Sequence, residues 1–258
     1  MKTIAIANHK GGVGKTATTH NLGSILAFEY GLRVLMIDTD PQSSLTQSCG
    51  VSEAENNLAG VLGNTNPGTI ELADIIQDLG NGLYLAPSDI SLAVSELGLT
   101  SRMGRENILR KALASVDKNY DLCFIDCPPS LGLLTVIGLV AADAVLTPTQ
   151  PQVVDLRGLS LFLETLERIK LELNPELVHF GVLVTFFDSR LIHHEVAMKA
   201  MENADLPLLP VKIGRSIRVA EAAAAGEPVT VWDRNNPQAE NYRKVAEIVK
   251  QWLGSDSN

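Results

Sequence analysis

The chain has 258 residues, a net charge of −9 at pH 7 and a pI of about 5. This length allows one large core, and the acidic balance argues against a protein that coats nucleic acid over its whole surface. The three cysteines cannot form a complete disulfide framework, and no stretch reaches the roughly 18 consecutive apolar residues of a membrane span. The sequence begins with a predicted strand instead of a secretory signal, and no linker or repeat divides it. We expect one cytoplasmic domain over residues 1–258, with a flexible tail at 254–258.

Short apolar runs alternate with stretches of helical periodicity along the whole sequence. We expect strands at 3–7, 33–37, 83–86, 122–125, 144–147, 180–185 and 208–211. We expect helices at 15–30, 106–115, 131–141, 156–173, 194–203 and 237–253. Strands that are apolar on both faces and separated by helices predict an α/β fold, with a mostly parallel, twisted sheet and helices on both faces. Ligands would bind beyond the carboxyl ends of the strands.

A glycine-rich segment follows the first predicted strand and almost matches the phosphate-binding pattern G-x-x-x-x-G-K-[ST]. His9 stands where the pattern has its first glycine, and a second lysine, Lys10, lies inside the loop. Glycines let backbone N–H groups approach a phosphate, and the following helix adds its positive end. Lys15 would reach the β- and γ-phosphates, and the Thr16 hydroxyl would bind Mg²⁺. The predicted nucleotide-binding residues of this loop are Gly11, Gly12, Val13, Gly14, Lys15, Thr16 and Ala17.

Aspartates follow two of the predicted strands. Asp38 and Asp40 follow strand 33–37 and point to one side of the chain, and Asp126 follows strand 122–125. A carboxylate at the tip of a buried strand needs a partner, and Mg²⁺ or its bound water is a suitable one. We expect Asp126 on the magnesium side and Asp40 to orient the attacking water. Asp38 would support the metal's water shell or the catalytic loop, although any one of the three could instead cap the following helix.

Three segments together carry a specific resemblance. Residues 10–16, 38–42 and 124–132 resemble the deviant Walker A, Walker A′ and Walker B segments of the ParA/Soj branch of the ParA–MinD ATPases. The resemblance runs nearly end to end and includes residues 147–150 and residues 214–222, which are similar to the family's loop and helix near the nucleotide base. It implies a P-loop NTPase that hydrolyses ATP with Mg²⁺, slowly without a partner. We also place Pro210 and Lys212 at the nucleotide.

The resemblance implies a role for the second lysine as well. In that family the early lysine of the loop reaches across an ATP-dependent homodimer to the phosphates of the partner subunit's ATP. Lys15 already serves the phosphates of its own subunit, so Lys10 can neutralise charge on the neighbour's γ-phosphate. The expected catalytic residues are therefore Lys10, Lys15, Asp38 and Asp40.

The family's small members, which lack an N-terminal helix-turn-helix, bind DNA non-specifically as ATP dimers, because the phosphate backbone needs only positive charge. Residues 210–218 are basic and contain no acid. The candidate DNA contacts are Arg190, Lys212, Arg215 and Arg218, with Lys199, Arg243, Lys244 and Lys250 as weaker ones. Arg215 is also a candidate for the nucleotide-facing loop. Such a protein would position a plasmid, a chromosome origin or a protein organelle such as a carboxysome over the nucleoid, with a separate ParB-like or cargo-adaptor protein stimulating hydrolysis.

Two other classes are compatible with parts of the sequence. A MinD-like membrane switch needs a basic amphipathic C-terminal helix, and residues 242–253 have apolar residues at helical spacing. We expect this helix to pack on the core, with no stable membrane insertion. An electron carrier of the nitrogenase-iron-protein type needs a cluster-binding cysteine on each of two loops. Cys123 and Cys127 do not suit that arrangement, and we expect them to be buried thiols.

Overall fold

A computed structural model describes residues 1–52, 54–63 and 70–255. Within these ranges eight strands form one sheet in the order β3-β4-β2-β5-β1-β6-β7-β8. Every neighbouring pair is parallel except β3 and β4, which are antiparallel. The strands are β1 (Lys2–Ile6), β2 (Val34–Asp38), β3 (Gln77–Gly80), β4 (Leu83–Ala86), β5 (Leu122–Asp126), β6 (Ala144–Thr149), β7 (Val178–Phe187) and β8 (Leu208–Gly214).

Helices cover both faces of the sheet, as predicted. They are α1 (Lys15–Phe28), α2 (Ser44–Ser48), α3 (Leu58–Gly63), α4 (Leu72–Ile75), α5 (Ser91–Leu99), α6 (Ile108–Val116), α7 (Leu133–Ala141), α8 (Val153–Glu172), α9 (Ile192–Asn203), α10 (Ile217–Ala224), α11 (Val229–Trp232) and α12 (Pro237–Ser255). Alternation along each strand divides the apolar residues between two cores. Ile4 and Ile6 pack with residues of α1 and α12, whereas Ala5 packs with residues of α3, α6, α7 and α8.

All seven predicted strands are present, and β3 is the strand that the sequence did not reveal. Its residues Gln77–Gly80 alternate between half-buried and exposed and include no β-branched side chain. It pairs with β4 at the edge of the sheet, where little apolar surface is needed. The helical periodicity also did not predict α2, α3, α4, α5, α10 and α11, although the resemblance placed a helix within residues 214–222, where α10 begins. Each spans nine residues or fewer, and segments this short show a helical period only in some cases, as in the nine-residue α6 and α7, which were predicted.

The C-terminal helix packs on the core, which agrees with the prediction for residues 242–253. Tyr242, Val245 and Val249 are buried in the same core as α1. The predicted flexible tail is partly wrong, because α12 continues to Ser255; residues 256–258 lie outside the described residues. Among the described residues, no helix combines the length and the apolar character needed to cross a bilayer.

The parallel register gathers the predicted site residues at one edge. Ile6 is paired with Asp126, and Asp38 is paired with Asp126 on the other side. The loop after β1, the aspartates after β2 and the carboxylate that ends β5 therefore lie together at the carboxyl edge of the sheet.

Candidate nucleotide-binding site

The loop between β1 and α1 has the backbone that a phosphate cradle requires. Gly12 and Gly14 have φ of +71° and +85°, a left-handed region that favours glycine. Gly14 immediately precedes α1, and no side chain caps this helix end or places an acid in its first turn. The free N–H groups and the positive end of the helix dipole therefore face the loop, and together they favour an anion.

Two residues that the sequence reasoning missed hold this loop in place. The Asn8 Oδ1 accepts the Lys10 N–H at 3.0 Å, and the Asn8 amide donates to the Pro148 carbonyl at 2.8 Å. The Thr185 hydroxyl at the end of β7 donates to the Val13 carbonyl at 2.8 Å. Both are buried polar side chains at strand ends, and that combination was the available signal.

Asp126 lies next to the start of α1. Its two carboxylate oxygens accept the hydroxyls of Thr16 at 2.7 Å and Thr19 at 3.1 Å. Burial and the nearby Asp38 raise the pKa of Asp126 to about 7, while Thr16 and Lys15 act in the opposite direction. The predicted magnesium-side pair, Thr16 and Asp126, is thus assembled as a direct contact.

Lys15 is the first residue of α1, and its side chain crosses the loop. The side chain is largely buried, and the Nζ donates to the Lys10 carbonyl at 2.9 Å. Burial lowers the pKa of Lys15, and Asp126 opposes this shift. The ammonium is therefore held over the turn in which the phosphates are expected.

Asp38 and Asp40 have different surroundings. Asp38 is fully buried, and its carboxylate accepts the Thr46 N–H, the Thr46 hydroxyl and the Asp40 N–H at 2.8–3.0 Å. Burial raises its pKa to about 6. Of the two roles predicted for Asp38, these contacts favour support of the catalytic loop. The Asp38 carboxylate forms no hydrogen bond with Thr16, the residue expected to bind Mg²⁺. Asp40 is half-buried, and its carboxylate accepts the Gln42 N–H at 2.9 Å.

Ser88 ties the segment after β4 to these aspartates. Its hydroxyl donates to the Asp40 carbonyl at 2.9 Å, and its N–H donates to the Thr46 hydroxyl at 3.0 Å. Because Thr46 in turn donates to Asp38, one hydrogen-bonded network joins β2, α2 and the approach to α5.

Lys10, which the resemblance assigns to the neighbouring subunit's γ-phosphate, is paired within its own chain. Its ammonium forms an ion pair with Asp155 and lies 3.4 Å from the Gln152 Oε1, at the start of α8. The Lys10 side chain is 33% exposed and that of Asp155 is 11% exposed. The pairing joins residues far apart in sequence and was not predictable from the local pattern.

An apolar pocket of about 170 Å³ adjoins the loop. Its walls include Gly14, Ala17, Phe186, Ile213 and Tyr242. Its position beside Gly14 and its apolar lining suit the base of a nucleotide whose phosphates occupy the loop. Ala17, which the sequence analysis placed at the nucleotide, lines this pocket.

The placement of Pro210 and Lys212 at the nucleotide is not supported. Alternation along β8 directs both side chains outward, towards a groove lined by Met198 and Glu202 of α9. The Lys212 Nζ lies 4.6 Å from the centre of the Phe187 ring. It is Ile213, the next residue of the strand, that lines the apolar pocket.

Comparison with known proteins agrees with this geometry. A model of the AAA domain family AAA_31 matches residues 1–179. The sporulation initiation inhibitor protein Soj of Bacillus subtilis is 38% identical over 259 residues, which cover 96% of this chain and 98% of Soj. The chain belongs to the ParA/Soj family of P-loop ATPases. The chromosome partitioning protein ParA of Caulobacter vibrioides is likewise 38% identical, over 96% of this chain and 94% of ParA.

Two solved structures show the same fold. The cobyrinic acid a,c-diamide synthase of Mycobacterium smegmatis with bound ADP and magnesium has a TM-score of 0.87 and 34% identity, over 99% of this chain and 96% of that one. Apo McdA of Cyanothece has a TM-score of 0.85 and 28% identity, over 96% and 99% of the two chains. As a ParA/Soj ATPase the chain uses ATP with Mg²⁺, and its site fits both.

The fit to magnesium rests on oxygen donors. The described residues contain no group of three His, Cys, Asp or Glu side chains arranged for a metal ion. Magnesium in such ATPases is bound by one or two protein oxygens together with phosphate oxygens, and the Thr16 hydroxyl and the Asp126 carboxylate would supply that small share. When bound, the ion supplies positive charge to the phosphate oxygens.

The cations proposed for DNA contact are scattered, and several are paired. Arg190 donates to both carboxylate oxygens of Asp188 at 2.7 and 2.9 Å. Arg218 donates to Glu221 at 2.8 Å. Arg215 is exposed beside two surface grooves. Two of the weaker candidates are also engaged, since Arg243 pairs with Glu29 and the Lys250 Nζ lies 4.2 Å from the centre of the Tyr30 ring. Lys199 and Lys244 are exposed.

The cysteines have the surroundings of structural thiols. Cys123 and Cys127 are buried and free, and burial raises the pKa of both, that of Cys127 to about 12. Inert buried thiols agree with the expectation from the sequence.

Proposed function

We propose that this ParA/Soj ATPase is an ATP-driven switch that dimerises with ATP, binds DNA without sequence preference and positions a cargo over the nucleoid in the cytoplasm. The observation that supports it best is the second lysine of the phosphate-binding loop. Lys15 already covers the loop of its own subunit, and the Lys10 ammonium lies beside the loop, against Asp155. Lys10 is also 33% exposed, within reach of a second molecule.

In the proposed switch, Lys10 has two positions. In one, the ammonium is neutralised by Asp155 on α8 of its own subunit. In the other, it would contact the triphosphate bound by the partner subunit, where three negatively charged oxygens outweigh one carboxylate. Only a nucleotide with a γ-phosphate would offer enough charge to draw Lys10 away from Asp155. The dimer would therefore form with ATP and not with ADP.

Asp40 is the proposed water-orienting residue. Its carboxylate is half-buried and accepts one main-chain N–H, so it retains accepting capacity for a water. Asp38, whose carboxylate already accepts three bonds, would hold the loop that carries Asp40. A single carboxylate, with no arginine in the segments 10–16, 38–42 and 124–132, predicts slow hydrolysis, which a separate activating protein would stimulate.

Light scattering with ATP, ADP and the Lys10→Ala variant tests the proposal. The unmodified protein should become a dimer with ATP and Mg²⁺ and remain a monomer with ADP. Lys10→Ala should bind ATP but remain a monomer, and Lys118→Ala, which removes a lysine from a turn far from the loop, serves as control. A stable ATP dimer of Lys10→Ala would contradict the role across the dimer.

The MinD-like membrane switch is less well supported. The apolar residues of α12 that such a switch would insert into lipid are buried against α1. ATP-dependent sedimentation with anionic vesicles, in the absence of DNA binding, would favour that alternative.

A further inference from the structure

An apolar stripe lies on the solvent side of α5 and of the turn that follows it. Ile90, Val94 and Leu97 stand four and three residues apart, so they share one side of the helix, and Met103 follows in the turn. These four side chains are 67%, 71%, 73% and 97% exposed, respectively. Single exposed apolar residues are common on protein surfaces, but a contiguous stripe indicates a surface that binds another molecule.

The inner side of α5 is already occupied. Leu92 and Leu99 are buried, and the Ser95 hydroxyl donates to the Ala59 carbonyl of α3 at 3.1 Å. Glu96 is the charged residue within α5, and its carboxylate lies 3.4 Å from the Leu134 N–H in the first turn of α7. The outer side of α5 therefore has no charged side chain, although the chain as a whole carries a charge of −9.

The stripe is continuous with the nucleotide site. Ser88, two residues before Ile90, donates to the Asp40 carbonyl. Glu96 approaches the segment that follows β5, in which Pro129 lies within van der Waals distance of a Cβ placed on Gly11. The phosphate-binding loop, the segment after β5 and α5 thus border one surface. A molecule that covers the loop would also reach the stripe.

Charges of opposite sign flank the stripe. Asp89 precedes it, and Arg102 and Arg105 stand at its other end. When two identical helices pack antiparallel about a twofold axis, the acidic end of each lies against the basic end of the other. The stripe is therefore complementary to a second copy of itself.

We infer that α5 of one copy packs antiparallel on α5 of a second copy, so that Ile90, Val94, Leu97 and Met103 form the apolar part of the dimer contact. This inference rests on the proposed ATP-dependent dimer and assigns to it a surface outside the nucleotide site. The Lys10 contact makes the dimer depend on the γ-phosphate, and the α5 contact contributes buried apolar surface. The twofold axis would pass near the middle of the helix pair, which places Val94 opposite its own symmetry mate.

The first experiment places a charge in the stripe. With Mg²⁺ and an ATP analogue that is not hydrolysed, sedimentation should give Leu97→Glu a dimer dissociation constant at least tenfold above that of the unmodified protein. Its monomer should bind the analogue with unchanged affinity. The matched control is Leu171→Glu on α8, since Leu171 is also a highly exposed helical leucine, at 78%. This control should dimerise like the unmodified protein.

The second experiment uses a cysteine at the expected axis. Under mild oxidation, Val94→Cys should form a disulfide-linked dimer with ATP and Mg²⁺ and not with ADP, whereas Leu171→Cys should form none. A Leu97→Glu variant that dimerises with unchanged affinity, or a Val94→Cys link that forms equally with ADP, overturns the α5 contact and leaves the proposed function standing. Unmodified protein that remains a monomer with ATP overturns both.

Discussion

The nucleotide edge of the sheet differs in construction from the C-terminal surface, which carries the candidate DNA contacts Arg190, Lys212, Arg215 and Arg218. At the nucleotide edge, Asp38, Asp126 and Thr19 are buried, and hydrogen bonds from several elements fix them. On the C-terminal surface, Arg190 and Arg218 are exposed and pair with acids only two or three residues away.

The difference shows which kinds of function require a fixed geometry. Phosphate chemistry depends on the positions of a few atoms, so the fold holds them rigidly. Contact with a DNA backbone depends on the net charge that a surface presents, which tolerates mobile side chains and local pairing. Substitutions should accordingly have specific effects at the nucleotide edge and graded effects on the C-terminal surface.

The largest expected effect separates the two aspartates of the nucleotide edge. Asp40→Ala should bind ATP and lower the hydrolysis rate by roughly 100-fold or more, because a positioned base or water-orienting group contributes about that much. Asp38→Ala should lower the free energy of unfolding by about 3 kcal/mol, since it leaves buried donors without an acceptor. Phosphate release and urea unfolding measure the two effects. Equal phosphate release by Asp40→Ala would remove Asp40 from the mechanism.

His20 on α1 tests whether water is excluded from the interior behind the phosphate-binding loop, as expected for a rigid nucleotide edge. Burial lowers the pKa of His20 to about 4 from an ordinary value of 6.5. The unfolded chain therefore takes up this proton at a higher pH than the folded chain, and the contribution of His20 to the free energy of unfolding falls as the pH drops from about 6.5 to about 4. The loss amounts to roughly 3 kcal/mol.

The measurement for His20 is urea unfolding between pH 7 and pH 4.5. Because burial raises the pKa of Asp38 and of Asp126, these carboxyls change the free energy of unfolding in the opposite direction. His20→Gln should therefore change the pH profile of the unmodified protein by gaining stability relative to it as the pH drops. His193→Gln, at an exposed position of α9, is the control and should leave it unchanged. An unaltered pH profile in His20→Gln would show that water reaches this side chain.

Single substitutions on the C-terminal surface should each lower the DNA affinity by a moderate factor. If the dimer engages about six phosphates, the logarithm of DNA affinity should fall against the logarithm of salt with a slope of roughly −5. Arg215→Ala should reduce that slope by roughly 2 per dimer and weaken binding about tenfold. Arg218→Ala should do less, because Glu221 already neutralises part of its charge. Two unrelated duplexes in a salt series provide the measurement, and unequal affinities for them would contradict non-specific binding.

The smallest expected effect concerns the contact between the loop and α8. The ring of His9 lies against Gly158, and a Cβ at Gly158 would collide with it. Gly158→Ala should therefore lose stability in the unmodified protein. In a His9→Ala background the same substitution should gain about 1 kcal/mol, the ordinary preference of a helix for alanine over glycine. A double-mutant cycle in urea measures the coupling, and the same sign in both backgrounds would contradict the contact.

The features that could be predicted are those determined by residues close together in the sequence. The strand, the glycines and Lys15-Thr16 follow one another directly, and the parallel fold then brings Asp126 to Thr16. The pairing of Lys10 with Asp155, the position of Thr185 and the antiparallel edge strand β3 depend on packing between distant segments. The resemblance located the segment near the nucleotide but not the side of β8 on which each of its residues lies. Lys212 was therefore assigned to the nucleotide, although Ile213 is the residue that faces the apolar pocket.

Ser88 joins parts of the molecule that are 48 residues apart in sequence. Through its hydroxyl and its N–H it is bound both to the main chain of Asp40 and to Thr46, and the chain continues from it within two residues into the apolar stripe of α5. The stripe is therefore separated by one hydrogen bond, that of Ser88, from the main chain of the residue proposed to orient the water. If α5 forms the proposed dimer contact, a shift of Ser88 on dimerisation would move the main chain of Asp40, and dimerisation would then change the rate of ATP hydrolysis.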